Sequence, residues 1–321
     1  MHNPLQVLKH YWGYDGFRPG QAEVIDSILS GHDTLALMPT GGGKSITFQV
    51  PALANPGICL VVSPLVALMK DQVKNLQKRG ILSAFISSEM PHWEILQQLD
   101  NCILGDYKFL YISPERISSE LFQEKLKTLS RKVNLLVVDE AHCISQWGND
   151  FRRDYRLIAD IRDVIPHVQV IAVTASATAA VVADICEQLH FRKGYRIFKT
   201  SFERKNLSFV VRKTDNKLKE ICHILSAVPG SAVIYSRTRK GVEEYAGKLR
   251  AAGISAEYFH AGLDPVLKTE RQADWVKGFT RVLVATNAFG MGIDKGDVRV
   301  VIHTEFPDSM EAYYQEAGRA G

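Results

Sequence analysis

The chain has 321 residues, a net charge of +4 at neutral pH and a pI of about 8.7. This length exceeds one typical hydrophobic core and suits two domains of roughly 150 residues. Its apolar runs are strand-sized, well short of the ~20 residues that span a bilayer, and residues 1–16 lack the layout of a signal peptide. We therefore expect a cytoplasmic protein without a membrane segment, whose mild positive charge permits a polyanionic partner.

The five cysteines are scattered along the chain without any C-x-x-C pair. This spacing argues against a zinc site within the chain and against a disulfide framework, so reduced thiols in and around the cores are expected.

Short apolar runs alternate with amphipathic segments through most of the first two hundred residues. The runs that predict strands are 34–38, 58–63, 109–113, 135–138 and 168–174. The amphipathic segment 65–79 predicts a helix that ends just before Gly80. Alternation of this kind predicts a parallel sheet covered by helices on both faces.

The alternation stops in residues 191–209, which are basic and irregular, and then resumes. SAVIY, ISAEYF, RVLVAT and VRVVIHTEF predict further strands, with helices over 241–253 and 268–279. We therefore predict two α/β domains, residues 1–204 and 205–321.

The first chemical motif is MPTGGGKS, residues 38–45, between a predicted strand and a helix-compatible segment. Glycines let backbone N–H groups turn toward phosphate oxygens, and the following helix N-terminus adds positive potential. The residues expected to wrap the phosphates of ATP are Thr40, Gly41, Gly42 and Gly43. Lys44 would reach the β- and γ-phosphates, and the Ser45 hydroxyl would bind Mg²⁺. Met38 replaces the usual first glycine of the motif, and a purely structural hairpin is the alternative.

The second motif is LLVVDEAH, residues 135–142, an apolar strand that ends in two carboxylates. Asp139 would hold Mg²⁺ through its water shell, and Glu140 would orient the attacking water and accept its proton. Two adjacent acids at a buried strand end are costly without a cation, which disfavours a plain surface loop. Together the two motifs predict an ATPase.

Several stretches together resemble the RecQ family of DNA helicases, in helicase superfamily 2. They are GYDGFRPGQ (13–21), MPTGGGKS (38–45), SPLVALMKDQV (63–73), DEAHCISQWGNDFRRDY (139–155), TAS (174–176), ATNAFGMGIDK (285–295) and YYQEAGRAG (313–321). The resemblance covers essentially the whole chain, in order. It implies two RecA-like domains of the P-loop NTPase type, with ATP between them and single-stranded DNA across both.

The resemblance also implies how the adenosine part of ATP is held. Tyr14 and Arg18 would sandwich the adenine, since an aromatic ring and a guanidinium both stack on a base. Gln21 would read the adenine edge, and Asp294 would meet the ribose or the facing domain. An aromatic N-terminal plug is the alternative for Tyr14.

The loop after the carboxylates matches an aromatic-rich segment of the family that is thought to sense DNA. Trp147 and Phe151 would stack on bases, and Arg152 would contact a phosphate or form a coupling ion pair. A loop packed under the sheet is the alternative. Asn149 stands where the family usually has histidine, and asparagine cannot become cationic near neutral pH.

A DNA backbone track is implied at strand ends and helix starts, where contacts fix register without reading sequence. Its residues are Ser63, the stretch 113–116, Ser236, Arg239, His260, Thr286 and Asn287. Each could instead cap a helix or be a solvated charge. The stretch 174–176 would relay between ATP and this track.

In the last motif Gln315 and Arg319 are the expected catalytic residues, while the family's second arginine lies beyond residue 321. We therefore interpret the chain as a fragment. The expected function is a monomeric ATP-dependent DNA helicase core that moves 3′→5′ on single strands and unwinds partly duplex DNA in recombination and repair. The alternatives are a nucleotide-gated DNA clamp without turnover and an RNA remodelling ATPase, which the QWGNDF loop disfavours.

Overall fold

The computed structural model describes residues 3–39, 41–145, 152–175, 177–201, 204, 206–287, 289 and 295–320. The chain divides into two compact units, Met1–Phe202 and Glu203–Gly321. Within the described residues no helix is both long and apolar enough to cross a membrane. All five cysteines are unpaired thiols.

The described part of the first unit contains one parallel sheet with helices before and between its strands. Its strands are β1 Thr34–Leu37, β2 Ile58–Val62, β3 Ser83–Ile86, β4 Phe109–Ile112, β5 Val133–Val138, β6 Val170–Thr174 and β7 Arg196–Lys199. Its helices are α1 Pro4–Trp12, α2 Gln21–Leu29, α3 Lys44–Ala54, α4 Val66–Gln77, α5 His92–Leu104, α6 Glu120–Leu129, α7 Ile158–Val164 and α8 Ala179–Gln188. Short 3₁₀ turns cover Pro114–Arg116, Ser130–Lys132, Ala141–Ile144 and Arg153–Leu157. The strand order is β3-β4-β2-β5-β6-β1-β7.

Side chains of the sheet point alternately to two hydrophobic cores, one on each face. Leu35 and Leu37 pack with residues of α5, α6, α7 and α8, whereas Ala36 and Met38 pack with residues of α1, α2, α3 and α4. Because both faces are covered, the central strands are buried and apolar throughout. The predicted parallel sheet with helices on both faces is confirmed.

The segment 191–209 contains a strand, so the prediction that it is irregular throughout was wrong. β7 pairs in parallel with β1, but most of its side chains are exposed and it has no apolar run. At its end, the backbone N–H and Oγ1 of Thr200 donate to the carbonyl of Leu37, at 3.0 and 3.2 Å. A Cβ placed on Gly20 would lie 2.3 Å from Thr200 Cγ2, so glycine is needed at this close approach.

A buried ion cluster around Asp33, directly before β1, stabilises the opposite end of these strands. Its Oδ2 lies 2.5 Å from Arg162 Nη2, and its Oδ1 lies 3.0 Å from Arg192 Nη2. The backbone N–H groups of Arg192 and Val170 also donate to this carboxylate, at 2.7 and 2.9 Å. Burial by itself raises the pKa of Asp33, but the hydrogen bonds from Arg192, Val170 and Arg162 outweigh it and the pKa is lowered.

The second unit has a smaller parallel sheet. Its described strands are β8 Ser231–Tyr235, β9 Ala256–Phe259, β10 Val282–Ala285 and β11 Val298–His303, in the order β11-β8-β10-β9. Its helices are α9 Lys217–Ala227, α10 Arg239–Ala251, α11 Pro265–Lys277 and α12 Met310–Ala317. One face packs against α9 and α10, and Trp275 of α11 packs against the other. Both units are thus parallel-sheet α/β domains, as predicted.

Candidate active site

The glycine loop turns sharply between β1 and α3, which begins at Lys44. Gly41 and Gly43 have φ of +77° and +75°, a conformation that glycine adopts at no steric cost. A Cβ on Gly42 would lie 2.9 Å from the carbonyl oxygen of Pro39, whose partner is the Gly42 N–H. These glycines therefore supply the curvature that Met38, buried at the end of β1, does not. Thr40 lies outside the described residues.

Two residues of the GYDGFRPGQ motif brace this loop from outside. Gln21 is buried, and its Nε2 donates to the carbonyl oxygen of Gly43 at 3.0 Å. Its Oε1 accepts from the backbone N–H of Arg18 at 2.8 Å, and Arg18 Nη1 donates to the carbonyl oxygen of Gly41 at 2.8 Å. In this structure the polar atoms predicted to contact adenine are thus engaged by the protein.

Tyr14 lies in the same motif with 54% of its surface exposed. It remains available as a stacking surface.

Asp139 follows β5, beside the end of the neighbouring strand β2. Its Oδ1 accepts from the Glu140 backbone N–H at 3.0 Å, and its Oδ2 lies 3.4 Å from Ser63 Oγ. Burial raises the pKa of Asp139 to about 7, together with the charge of Glu140, while the Lys44 ammonium opposes this rise. Ser63 is buried, and in this structure its hydroxyl lies on this carboxylate.

Glu140 is held in an unusual conformation for a residue other than glycine, with φ of +47°. Its side chain is buried, and its Oε2 has no hydrogen-bond partner among the described residues. The nearest basic atom is His142 Nδ1 at 3.5 Å, and that same nitrogen lies 2.8 Å from Thr174 Oγ1 at the end of β6. Backbone conformations of this kind concentrate at functional sites.

Two residues that the sequence analysis did not assign to the site, Tyr155 and His142, contact its carboxylate residues. Tyr155 is fully buried, and its hydroxyl donates to the backbone carbonyl of Asp139 at 2.9 Å. His142 links Glu140 to Thr174, as described above. Both lie within the quoted motif 139–155, so their proximity in sequence to the carboxylates was the available signal.

Two basic residues assigned to nucleic-acid contacts are partly used inside the first unit. Arg152 Nη1 donates to the carbonyl oxygen of Pro64, in the SPL stretch, at 3.1 Å. Arg116 donates to the carbonyl oxygens of Ser87 and Ser88, at 2.9 and 3.0 Å. Arg116 therefore braces a turn, and Ser113 beside it is buried.

Of the residues predicted to contact DNA in the second unit, only some face the surface. Ser236, His260 and Thr286 are buried, whereas Arg239 and Asn287 are exposed. The Arg239 guanidinium packs over Gly262, since a Cβ there would lie 2.7 Å from Nη1. His260 Nε2 lies 2.9 Å from Glu243 Oε1.

The last helix, α12, carries Gln315, which is half-buried, and leads to Arg319. Burial raises the pKa of Tyr235 to about 12, and the charge and a hydrogen bond of Arg319 oppose that rise. Arg319 thus lies beside this phenol within its own unit. Glu316 Oε2, 2.7 Å from His303 Nε2, fixes the helix to β11.

The remaining predicted residues, Trp147, Phe151 and Asp294, lie outside the described residues, as does Asn149.

Comparison with known proteins gives consistent matches over the chain. Residues 18–185 match the DEAD/DEAH box helicase family, and residues 216–321 match the helicase conserved C-terminal domain. The ATP-dependent DNA helicase RecQ of Bacillus subtilis is 43% identical over 324 residues, covering 100% of this chain and 54% of that protein. RecQ of Haemophilus influenzae is 41% identical over 318 residues, covering 99% of this chain and 51% of that protein.

Among solved structures, Saccharomyces cerevisiae Dbp5 bound to RNA and ADP BeF3 aligns with a TM-score of 0.74 and 18% identity. The alignment covers 98% of this chain and 84% of that one. At this identity the likeness concerns the fold alone. The chain spans about half the length of the curated RecQ relatives it matches.

Proposed function

Because the chain belongs to the DEAD/DEAH box helicases and, within them, to the RecQ family, we propose that it is the ATP-hydrolysing core of a DNA helicase. Residues 1–204 are the proposed ATP-binding domain, and residues 205–321 the proposed second RecA-like domain. The substrate is single-stranded or partly duplex DNA, traversed 3′→5′ by a monomer in recombination and repair. The proposed location is where the DNA is, in the cytoplasm or, in a bacterium, at the nucleoid.

One observation carries the ATPase part of the proposal. The glycine loop leads into α3 at Lys44, and just after β5 the buried Glu140 Oε2 has no hydrogen-bond partner among the described residues. A lysine at a helix N-terminus suits a phosphate, and an unsatisfied buried carboxylate suits a bound water. In our proposal Glu140 orients this water toward the γ-phosphorus and takes its proton.

The same residues fit a magnesium ion. Buried carboxylates with excess negative charge favour a cation, and Mg²⁺ is usually held by one or two carboxylates together with substrate phosphates. Ser45 and Asp139 would hold it, and when bound it would neutralise charge that develops on the phosphate oxygens. In the described part of the chain there is no group of three or more His, Cys, Asp or Glu side chains suited to a metal, so the phosphates must complete the site.

Adenine recognition in this proposal requires a change of partners. Tyr14 would stack on the base and Arg18 would cover its other face. Gln21 would exchange its bond to the Gly43 carbonyl for the adenine edge, so the arrival of the base would release the brace on the loop.

For the proposed nucleic-acid substrate, the stacking residues are Trp147 and Phe151, with Arg152 as the neighbouring cation. Base stacking is worth roughly 1–3 kcal/mol per base and tolerates any sequence, as a translocating enzyme requires. Contacts to the sugar–phosphate backbone would come from Arg239 and Asn287, which are exposed in the second unit.

The test is phosphate release by the chain with Mg-ATP, measured without nucleic acid, with oligothymidylate and with oligouridylate. DNA stimulation that is lost in Lys44→Ala but kept in the exposed control Lys127→Ala supports the proposal. Stimulation by oligouridylate alone would favour the RNA remodelling ATPase. Nucleotide-dependent retention of DNA without phosphate release would favour the clamp. Strand separation of partial duplexes with 3′ or 5′ tails tests direction.

A further inference from the structure

The end of β8 carries hydrogen-bond donors that a carboxylate of the same unit already occupies. Strand β8 ends at Tyr235, and the donors that follow are the Ser236 hydroxyl and the backbone N–H of Arg237. Glu305 reaches them from the segment after the neighbouring strand β11. Its Oε2 lies 3.4 Å from Ser236 Oγ and 3.3 Å from the Arg237 nitrogen.

Two more groups complete the surroundings of this carboxylate. Thr304 Oγ1 lies 2.7 Å from Glu305 Oε2, and Lys217 Nζ lies 4.0 Å from its Oε1. Thr304 Oγ1 also lies 3.1 Å from the carbonyl oxygen of Tyr235, and Lys217 Nζ donates to the carbonyl oxygen of Thr304 at 2.7 Å, so the donors nearest this anion are held in place by the end of β8 and by the residue before Glu305. Donors of these types also bind phosphate oxygens in proteins.

The Arg237 side chain is occupied by the same segment. Its Nε and Nη2 donate to the carbonyl oxygen of Phe306, at 3.2 and 2.7 Å, and Nη2 lies 3.5 Å from Asp308 Oδ1. Both the backbone donor and the cation at this strand end therefore face residues 305–308. The stretch 236–239 is also where the sequence predicts contacts to the nucleic-acid backbone.

We propose that Glu305 occupies a phosphate subsite at the end of β8 and that a phosphodiester of single-stranded DNA displaces its carboxylate. The inference rests on the proposed function, which supplies the DNA. The Glu305 side chain is 37% exposed, so its carboxylate can move into water, whereas Ser236 is buried and stays in place. Every binding event then includes breaking the contacts of Glu305, and this residue sets the affinity of the track.

The proposal predicts a gain of binding when the carboxylate is neutralised. Hydrogen bonds to a charged acceptor are roughly twice as strong as neutral ones, so Glu305→Gln should bind DNA about five- to tenfold more tightly. Glu305→Ala, which removes the competitor altogether, should bind at least as tightly. If Glu305 were only a structural anchor, both substitutions would instead weaken DNA binding and lower the melting temperature.

The matched control is Asp297→Asn. Asp297 directly precedes β11, whereas Glu305 follows the other end of that strand. Asp297 also contacts a serine and a lysine, with Oδ2 3.1 Å from Ser231 Oγ and Oδ1 2.8 Å from Lys295 Nζ. It loses the same charge, so its effect on DNA affinity measures the general electrostatic gain. Adding Ser236→Ala to Glu305→Gln should remove most of the specific gain.

The assay is fluorescence anisotropy of a labelled oligothymidylate of about 16 nucleotides, at fixed salt, with the full chain. Tighter binding by Glu305→Gln than by Asp297→Asn supports the inference, and it does so even if the unsubstituted chain binds too weakly to measure. If the unsubstituted chain binds DNA and Glu305→Gln binds it no more tightly than Asp297→Asn does, the inference is overturned and the proposed function still stands. Absence of binding by every variant, with or without Mg-ATP, overturns both.

Discussion

Replacing Asp33 with asparagine should destabilise the first unit by several kcal/mol without altering the active site. The substitution keeps the shape of the side chain and removes its charge. Arg162, whose side chain is 8% exposed, then remains buried without a carboxylate, and its partner atom at 2.5 Å is lost. Breaking a buried pair on one side costs about 3–5 kcal/mol. Arg192 is 38% exposed, so solvent partly screens the loss of its own pair with the buried carboxylate of Asp33.

This loss is large against the 5–15 kcal/mol that typically holds a domain together. For a unit of this size, about 2–4 °C is lost per kcal/mol, so the melting temperature should fall by roughly 10 °C. The measurement is urea or thermal unfolding followed by circular dichroism. The matched control is Asp100→Asn, whose pair with Lys125 at 2.7 Å is partly exposed and should cost less than about 1 kcal/mol.

The dependence on pH has a definite sign. Because the pKa of Asp33 is lowered in the folded chain, its contribution to stability is full above the ordinary pKa of an aspartate, 3.8, and is lost as the pH falls through the folded pKa. The difference between the parent chain and Asp33→Asn should therefore be constant near neutral pH and shrink in acid. A destabilisation below about 1 kcal/mol at pH 7 would refute the reasoning, since the charge would then not be needed.

Three further outcomes are expected at the active site. Lys44→Ala should lower ATP turnover by a thousandfold or more with the fold intact, because a charge-assisted contact to the transferring phosphoryl group is lost; steady-state phosphate release measures it. Gln21→Ala should weaken ATP binding, because the hydrogen bonds to the adenine edge are lost, and so reduce the preference for ATP over GTP; competition titrations with both nucleotides measure it. Trp147→Ala should spare ATP binding and lower DNA-stimulated turnover, since base stacking worth roughly 1–3 kcal/mol is lost.

Each of these has an outcome that contradicts it. Phosphate release by Lys44→Ala near the parent rate would remove this lysine from the phosphate site. An unchanged ATP-to-GTP ratio in Gln21→Ala would leave the side chain as a loop brace alone. Equal losses of nucleotide affinity and DNA response in Trp147→Ala would indicate that the ring packs the loop.

The parts of the fold that the sequence predicted are those with strong local patterns. The central strands are covered on both faces, so their apolar runs are long enough to recognise. The prediction missed β3 and β7, which lie at the two edges of the sheet. β7 exposes most of its side chains and so has no apolar run, because a strand with one partner need not be buried on both faces.

The candidate site was predictable in its motifs and less so in its contacts. The glycine loop and the two carboxylates follow strands that alternate regularly with helices. The Ser63 contact with Asp139 depends on β2 lying beside β5, an adjacency that the order along the chain does not give. The brace from Gln21 to Gly43 joins residues 22 positions apart, and no periodicity reports such a contact.

The pairing of Thr200 with Leu37 has a mechanical consequence. Thr200 directly follows β7, and its two hydrogen bonds end on the last residue of β1. Its methyl group also lies against Gly20, beside the motif that braces the glycine loop. A pulling force on the chain after residue 200 therefore acts first on the residues that lead into the glycine loop. To separate β7 from β1, such a force must first break the two hydrogen bonds between Thr200 and Leu37.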